Sequence, residues 1–187
     1  MNTVNLDHKM NDKKRTSNWM VAIGVLFLLG FLAVLAQGLR LSGRGPLKKG
    51  DPLPAFELST FDGQTLRTTN LPGKVVVINF WSSWCQPCEQ EAAEFELAWK
   101  AYKAEDEVVF LGVAYMDIES EAKQFISRYG ITYPNGSDLG ASISKLFKVR
   151  GVPETFIFNR DGTLVHYQYG PFLSKGEIMS IVDPLTE

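Results

Sequence analysis

The sequence predicts an α/β domain with a central mixed β-sheet flanked by helices, preceded by an apolar N-terminal helix. Three observations carry this prediction. Runs of apolar and β-branched residues, typical of buried strands, alternate with an amphipathic stretch between residues 75 and 115. Two more strand-like runs, 155–158 and 163–169, flank a turn signal of the Asp-Gly type. A strand–helix–strand beginning and a hairpin end together indicate both parallel and antiparallel pairing.

The N-terminal residues are predicted to form a short cytoplasmic tail, 1–18, and a transmembrane anchor, 19–39. The tail is polar, lacks apolar periodicity and is expected to be disordered. The anchor stretch contains no charged residue, and as a helix it reaches the ~30 Å thickness of a hydrocarbon core. The alternative is a cleaved signal peptide with a loose cleavage site at residues 34–36, but the apolar run is longer than a usual signal core.

The side of the membrane on which the domain lies is predicted from chain length rather than from charge. Four basic residues precede the anchor and four follow it, so the positive-inside count is tied. Long domains translocate largely regardless of charge, which favours a short tail inside the cell. We therefore expect a single-pass protein of the cell membrane with its domain on the extracytoplasmic side.

The charge balance excludes one large class of partners. Whole-chain net charge is -2, but from residue 45 onward thirteen basic side chains stand against nineteen acidic ones, a balance of -6. An acidic folded part argues against nucleic-acid binding. The chain has only two cysteines, which excludes a four-cysteine zinc site, and no pattern predicts a cofactor or a bound metal ion.

Residues 40–50 are predicted to be a linker, because they combine Gly, Pro and Lys, and residues 51–187 form the predicted domain. The domain opens with a hairpin signal, in which 56–58 and 65–67 flank an Asp-Gly pair. A buried strand follows from Val75, and the helix-forming stretch 89–104 comes next. This strand leads directly into the two cysteines.

The rest of the chain completes the predicted order β, α, β, α, α, β, β, α. A second buried strand covers 107–115, and Ser120 could cap a helix that ends at Gly130. A short helix is predicted over 138–147. After the two hairpin strands, Ser174 is expected to cap a last helix.

Cys85 and Cys88 are separated by two residues at the junction of a strand and a helix, and this position predicts redox chemistry. A thiol at a helix N-terminus faces unpaired N–H groups and the positive end of the helix dipole, which lowers its pKa and favours the thiolate. Pro87 suits the first helical turn. The alternative is a structural disulfide, but a two-residue loop constrains the unfolded chain little.

Three motifs carry a family resemblance that spans the chain from about residue 51 to its end: 79–88 (NFWSSWCQPC), 151–156 (GVPETF) and 158–162 (FNRDG). With these motifs the chain resembles the thioredoxin-like superfamily. Within that superfamily it is most similar to the membrane-anchored branch that includes the TlpA, ResA and DsbE-type proteins of cytochrome c maturation. The resemblance implies that Cys85 attacks a partner disulfide and Cys88 resolves the mixed disulfide. It also implies a cis peptide bond before Pro153, which would expose the Val152 backbone for pairing with an extended partner segment.

Glu91 is the third residue after Cys88, where the branch often has a glutamate that affects protonation of the thiols. From spacing alone a solvated helix residue is the simpler interpretation, and the resemblance favours the catalytic one. Two departures from the family pattern stand out. Asn79 replaces a buried aspartate that serves many thioredoxins as a proton acceptor. Ala93 replaces a helix proline, so no kink is expected there.

The predicted catalytic residues are therefore Cys85, Cys88, Glu91 and Pro153. The predicted substrate contacts are Trp84, Gln86, Pro87 and Val152.

Other residues receive structural interpretations. Trp81 is expected in the core, and Trp84 exposed beside the thiols. His166 has no cysteine, histidine or carboxylate motif near it and is expected to be structural or exposed. Asp117 is most simply part of a solvated helix start, with a place near the redox turn as the alternative.

The resulting hypothesis is a tethered thiol–disulfide oxidoreductase that reduces exported proteins. The expected partners are a disulfide-bearing exported protein, such as apocytochrome c or its delivery protein, and a membrane electron donor that restores the dithiol. A peroxidase of the same fold is a second hypothesis, although such enzymes place a single peroxidatic cysteine differently. A copper carrier is a third, and it would need a methionine or histidine beside the thiols; the sequence places no methionine near them.

Overall fold

The computed structural model describes residues 7–42 and 45–187, with the side chains of 19–37 and 45–187. The chain divides into two compact units, Met1–Gly45 and Pro46–Glu187.

The described part of the first unit contains one helix, α1 (Asp7–Ser42). Its segment Trp19–Gln37 is long and apolar enough to cross a membrane, judged by length and composition, and none of its side chains is buried. The helix begins earlier and ends later than the sequence predicted. The described part of the tail, 7–18, is helical rather than disordered as predicted, and the helix continues into 40–42 of the predicted linker. Residues 1–6 and 43–44 lie outside the described residues. Helix propagation costs far less than nucleation, so a stable apolar segment extends into polar flanks.

The second unit contains a two-stranded hairpin and a five-stranded mixed sheet. The hairpin pairs β1 (Glu57–Ser59) with β2 (Thr65–Arg67) in antiparallel register, as the Asp-Gly signal predicted. The sheet has the order β5-β4-β3-β6-β7. Its strands are β3 (Val75–Trp81), β4 (Val108–Tyr115), β5 (Asn135–Asp138), β6 (Glu154–Phe158) and β7 (Leu164–Tyr169). The central strand β3 runs parallel to β4 and antiparallel to β6, which confirms the predicted mixed sheet.

Four helices accompany the sheet: α2 (Gln86–Tyr102), α3 (Glu119–Tyr129), α4 (Ser142–Phe147) and α5 (Lys175–Thr186). Every residue of β3 is buried, as expected for a central strand covered on both faces. One apolar cluster lies on the α2 and α5 side and includes Phe95, Phe110 and Val182. The other includes Leu58 of the hairpin and Phe147 of α4.

Strand β5 was not predicted from the sequence, and α4 begins at Ser142 rather than at Asp138. Asn-Gly-Ser-Asp has a turn-like composition with little preference for strands. Its conformation is stabilised by tertiary contacts: β5 pairs parallel to β4, and the Asn135 Oδ1 accepts a hydrogen bond from Nε1 of Trp81 at 2.8 Å. Thr60 of the hairpin bridges Gly136, where an added Cβ would lie 2.3 Å from a backbone oxygen.

The order of the strands determines what lies beside the cysteines. They follow the carboxyl end of β3, and the end of β4 lies on one side of that point because the two strands are parallel. The start of β6 lies on the other side because β6 is antiparallel. The loops at 116–118 and 150–153 therefore flank the cysteine turn.

Candidate functional site

Cys85 and Cys88 form a disulfide at the amino end of α2. Cys85 is the N-cap of the helix, and its Sγ accepts a hydrogen bond from the Cys88 N–H at 3.2 Å. Both cysteines are buried, with 4% of Cys85 and 1% of Cys88 exposed. The N–H group and the positive end of the helix dipole favour negative charge on Cys85 when the disulfide is reduced.

The residues around the disulfide differ strongly in exposure. Gln86 and Pro87 are exposed on the first turn of α2, and the Trp84 side chain is 62% exposed directly before Cys85. Trp81, by contrast, is buried and stacks on Phe125 with ring centroids 4.7 Å apart, so the expected core position is confirmed. Helix α2 runs without interruption from Gln86 to Tyr102.

Glu91 is buried, with only 2% of the residue exposed, rather than solvated. Its Oε1 accepts a hydrogen bond from Nδ2 of Asn79 at 2.8 Å, and its Oε2 accepts one from the Phe172 N–H at 3.2 Å. Burial raises the pKa of Glu91 to about 8, against the smaller opposing effects of these two hydrogen bonds. A buried acid thus lies one helical turn after Cys88, and its pKa falls in the range where thiols titrate.

The peptide bond between Val152 and Pro153 is cis, as the resemblance implies. Pro153 is buried, and its carbonyl accepts a hydrogen bond from the Gly170 N–H at 3.0 Å. Within the described residues, Val152 is half-buried and takes part in no backbone hydrogen bond.

Glu154, which the sequence did not single out, holds the loop before Pro153. It is fully buried, and its Oε1 accepts hydrogen bonds from the backbone N–H groups of Arg150 and Gly151 at 2.8 and 3.1 Å. Burial raises the pKa of this carboxyl group. In the sequence, its role was signalled only by an acidic residue directly after Pro153, within the 151–156 motif.

Asp117 is buried against the cysteine turn, which corrects the interpretation of a solvated helix start. The Asp117 carboxylate accepts two hydrogen bonds from Ser83, one from the backbone N–H at 2.5 Å and one from the Oγ hydroxyl at 2.8 Å. Ser82 adds a second link, because its Oγ donates to the carbonyl of Tyr115 at 2.6 Å. The turn that leads to Cys85 is therefore fastened to the end of β4.

His166 was singled out in the sequence, whereas Met116 was not. His166 is half-buried beside Phe172, with ring centroids 6.0 Å apart, and burial lowers its pKa. Among the described residues, no group of three or more His, Cys, Asp or Glu side chains could hold a metal ion. Met116, distant from the cysteines in sequence, lines one cleft together with Trp84.

The mixed sheet and a disulfide closed at the start of the following helix define the thioredoxin-like class of proteins. Residues 49–167 match the AhpC/TSA family, and the chain belongs to that family.

Curated relatives have the same chemistry in their names. The chain is 28% identical over 182 residues to the thiol-disulfide oxidoreductase ResA of Halalkalibacterium halodurans, covering 91% of this chain and 98% of the relative. It is 25% identical over 175 residues to ResA of Bacillus subtilis, covering 91% and 97%.

Solved structures are similar over the domain. A secreted Mycobacterium tuberculosis disulfide oxidoreductase homologous to E. coli DsbE aligns with a TM-score of 0.63 and 26% identity, over 70% of this chain and 96% of that one. A putative thiol:disulfide interchange protein DsbE from Chlorobium tepidum has the same fold, with a TM-score of 0.69 at 24% identity over 75% and 99%. The protein is a thiol–disulfide oxidoreductase, and it exchanges electrons with a disulfide-bearing substrate and a redox partner.

Proposed function

We propose that this oxidoreductase is tethered to the cell membrane by residues 19–39, with its domain on the extracytoplasmic side, and that it reduces disulfides in exported proteins. The favoured substrate is apocytochrome c or a protein that delivers it, because the sequence motifs resemble the branch that acts in cytochrome c maturation. The observation that carries the proposal is the Cys85–Cys88 disulfide at the amino end of α2.

The first step is attack by Cys85. In the reduced protein, the Cys85 thiolate displaces one sulfur of the substrate disulfide, forming a mixed disulfide, and the displaced sulfur takes up a proton. The N-cap position supports this assignment, since the Cys88 N–H points at the Cys85 sulfur. Trp84, Gln86 and Pro87 are exposed around Cys85 and are the proposed side-chain contacts of the substrate.

The second step is resolution by Cys88. Its thiol loses a proton and its thiolate attacks the Cys85 sulfur, which closes the Cys85–Cys88 disulfide and releases the second substrate sulfur as a thiol. Two electrons have then passed to the substrate. The ionised form of Glu91 is the proposed acceptor of the Cys88 proton. With a pKa of about 8 this form is the minor one at neutral pH, but the group exchanges protons in the same range as a thiol.

Substrate alignment is assigned to Val152 and Pro153. The unpaired backbone of Val152 can add an extended substrate segment by main-chain hydrogen bonds, which would align a disulfide of almost any sequence. Glu154 supports this role by holding the preceding residues through two N–H groups. A membrane electron donor then returns two electrons to the disulfide, since an oxidising compartment does not supply them.

Trapping of the mixed disulfide tests the proposed substrate. The Cys88→Ser variant, expressed in the host membrane, should accumulate exported proteins linked to Cys85, and mass spectrometry identifies them. The matched control is Cys85→Ser, which keeps only the more buried cysteine. Equal yields of mixed disulfide from the two variants would contradict the proposal that Cys85 attacks first. If none of the trapped proteins were an exported protein with a disulfide, the proposed substrate class would be wrong.

The midpoint potential tests the direction of electron flow. A reductase of this kind should have a potential near or below that of thioredoxin, roughly -270 mV. Equilibration with glutathione or dithiothreitol buffers, followed by alkylation, measures it. A value near that of a strong oxidant, roughly -120 mV, would assign oxidation instead.

A further inference from the structure

Three large apolar side chains are exposed together next to the disulfide. Trp84 is 62%, Met116 52% and Ile118 65% exposed, and the three residues line one cleft. Exposed apolar surface that is grouped rather than scattered marks an interaction site. These residues, which we call the β4-side surface, lie on the flank of the cysteine turn formed by the end of β4, whereas Pro153 lies on the flank formed by β6.

Asp117 explains why two of these side chains point outward. Its own side chain turns inward to Ser83 and also accepts a hydrogen bond from the Ile118 N–H at 2.9 Å. Met116, immediately before it, has a φ of 46°, a left-handed conformation that is unusual for a residue other than glycine. Such a conformation persists where the surroundings stabilise it, and it often accompanies function.

The cleft has the size and lining for one large side chain. Its volume is about 360 Å³, and Phe125, which is buried, contributes to its lining together with the three exposed apolar residues. The remaining lining residues are polar: Ser83, Asp117, Glu121, Gln124 and Arg128. The Asp117 carboxylate is already engaged by Ser83, and the exposed Glu121 and Arg128 have opposite signs, so the rim favours neither charge. The cleft therefore suits an apolar group rather than an ion.

We propose that the β4-side surface is a specificity site for a large apolar side chain that flanks the cysteine of the substrate disulfide. The inference rests on the proposed function, since it describes how the same site selects its substrate. The occupant follows from continuity: Ser83 and Trp84 line the cleft and directly precede Cys85, to which the substrate becomes bonded. An extended chain advances about 3.3 Å per residue, so positions next to the bonded cysteine reach the cleft.

The two flanks of the cysteine turn then have different tasks. The Val152 side binds the main chain of the substrate and accepts many sequences, whereas the β4-side surface recognises one side chain of the substrate. Burying a leucine-sized group on it accelerates formation of the mixed disulfide by about tenfold or more relative to serine.

The test uses two synthetic peptides with an internal disulfide, identical except for leucine or serine on both sides of each cysteine. The full chain, reduced and held in phospholipid nanodiscs, is mixed with each peptide, and the second-order rate constant is measured by acid quench and mass spectrometry. The variant combines Met116→Asn with Ile118→Thr. Asn tolerates a positive φ better than Met, and Thr can cap α3, whose N-cap Ile118 makes no side-chain hydrogen bond, so the fold is preserved.

The wild type should reduce the leucine peptide about tenfold faster than the serine peptide. The variant should show less than about a twofold preference, because its rate for the leucine peptide falls far more than its rate for the serine peptide. Leu146→Ser, an exposed apolar residue of α4 outside the cleft, is the matched control and keeps the preference. A preference retained in the variant, or absent from the wild type, overturns the inference. An equal loss for both peptides and for oxidised glutathione also overturns it. A wild type that reduces none of the three disulfides overturns the proposed function instead.

Discussion

Asn79 on the central strand donates a hydrogen bond from Nδ2 to Oε1 of Glu91 on α2, 2.8 Å away, in the buried interior of the domain. The same amide nitrogen donates to Oγ1 of Thr155 at 3.1 Å. Because the strand residue is an amide, it supplies donors but no ionisable group. The buried acid beside the cysteines therefore lies on the helix, one turn after Cys88.

Glu91 should make the stability of the oxidised protein fall as pH rises. Its pKa is about 8 in the folded state and 4.5 in the unfolded state, so between these values the folded protein holds a proton that the unfolded chain has lost. The free energy of unfolding then decreases by at most about 1.4 kcal/mol per pH unit over this window, and the decrease ends above pH 8. Denaturant titrations from pH 4 to pH 9 measure it.

The Glu91→Gln variant should lose this decrease, because glutamine does not titrate. The carboxyl group is faced by Asn79, the Phe172 N–H and the buried Tyr133, none of which supplies a compensating charge change in this range. The exposed neighbour Glu89 offers the control, and Glu89→Gln should retain the wild-type slope. Identical slopes in the wild type and Glu91→Gln would contradict the raised pKa.

Asn79→Asp should destabilise the protein in a pH-dependent way. The substitution places a second carboxyl group within hydrogen-bond distance of Glu91, and two buried carboxylates this close cannot both ionise. At pH 5 the pair can share a proton, whereas at pH 8 the loss of stability should be larger by about 3 kcal/mol. Chemical denaturation at the two pH values measures the difference, and an equal loss at both would argue against direct contact of the two groups.

Cys85 should react before Cys88 in the reduced protein. Its sulfur receives an N–H group at the helix start, while Cys88 is almost completely buried. At pH 7, alkylation by iodoacetamide should modify Cys85 at least about tenfold faster, with a rate that levels off below the ordinary thiol pKa of about 8.5. Peptide mapping by mass spectrometry at timed intervals gives both rates. Comparable rates at the two cysteines would remove the electrostatic argument for Cys85.

Gly136→Ala should destabilise the domain by about 2 kcal/mol or more, because the new methyl group would meet the Ser59 carbonyl oxygen at 2.3 Å and the Leu58 side chain. Gly140 is the matched control, since an added Cβ there meets nothing within 4 Å. Thermal unfolding of the two variants gives the comparison. If both alanines were equally tolerated, the close approach of the hairpin to β5 would be wrong.

The cysteine turn could be predicted because its determinants are local. The apolar run of β3, the cysteine spacing and Pro87 all lie within a short stretch, and they lead to the observed strand end and helix start. The hairpin was likewise predictable from its Asp-Gly turn. In both places the local propensity and the residue spacing agree with the tertiary structure, so the local sequence is sufficient to predict them.

The residues that the sequence did not identify, or for which the less favoured alternative was right, depend on contacts between distant parts of the chain. Asp117 meets Ser83 only because β3 and β4 are parallel neighbours, and Glu154 is buried only because its strand packs inside the sheet. Strand β5 has the composition of a turn and is held by pairing with β4 and by the indole of Trp81. Composition cannot supply these distances, because sequence separation does not report spatial proximity.

The hairpin also closes one border of the sheet. Thr60 bridges Gly136, and the Phe61 N–H donates to the Asn135 carbonyl at 2.8 Å, so part of the outer row of β5 is already engaged. An edge strand with unpaired N–H and C=O groups can pair with the same strand of another copy, and at high local concentration such pairing leads to aggregation. At the β5 edge, the β1–β2 hairpin occupies part of the strand and so hinders this pairing.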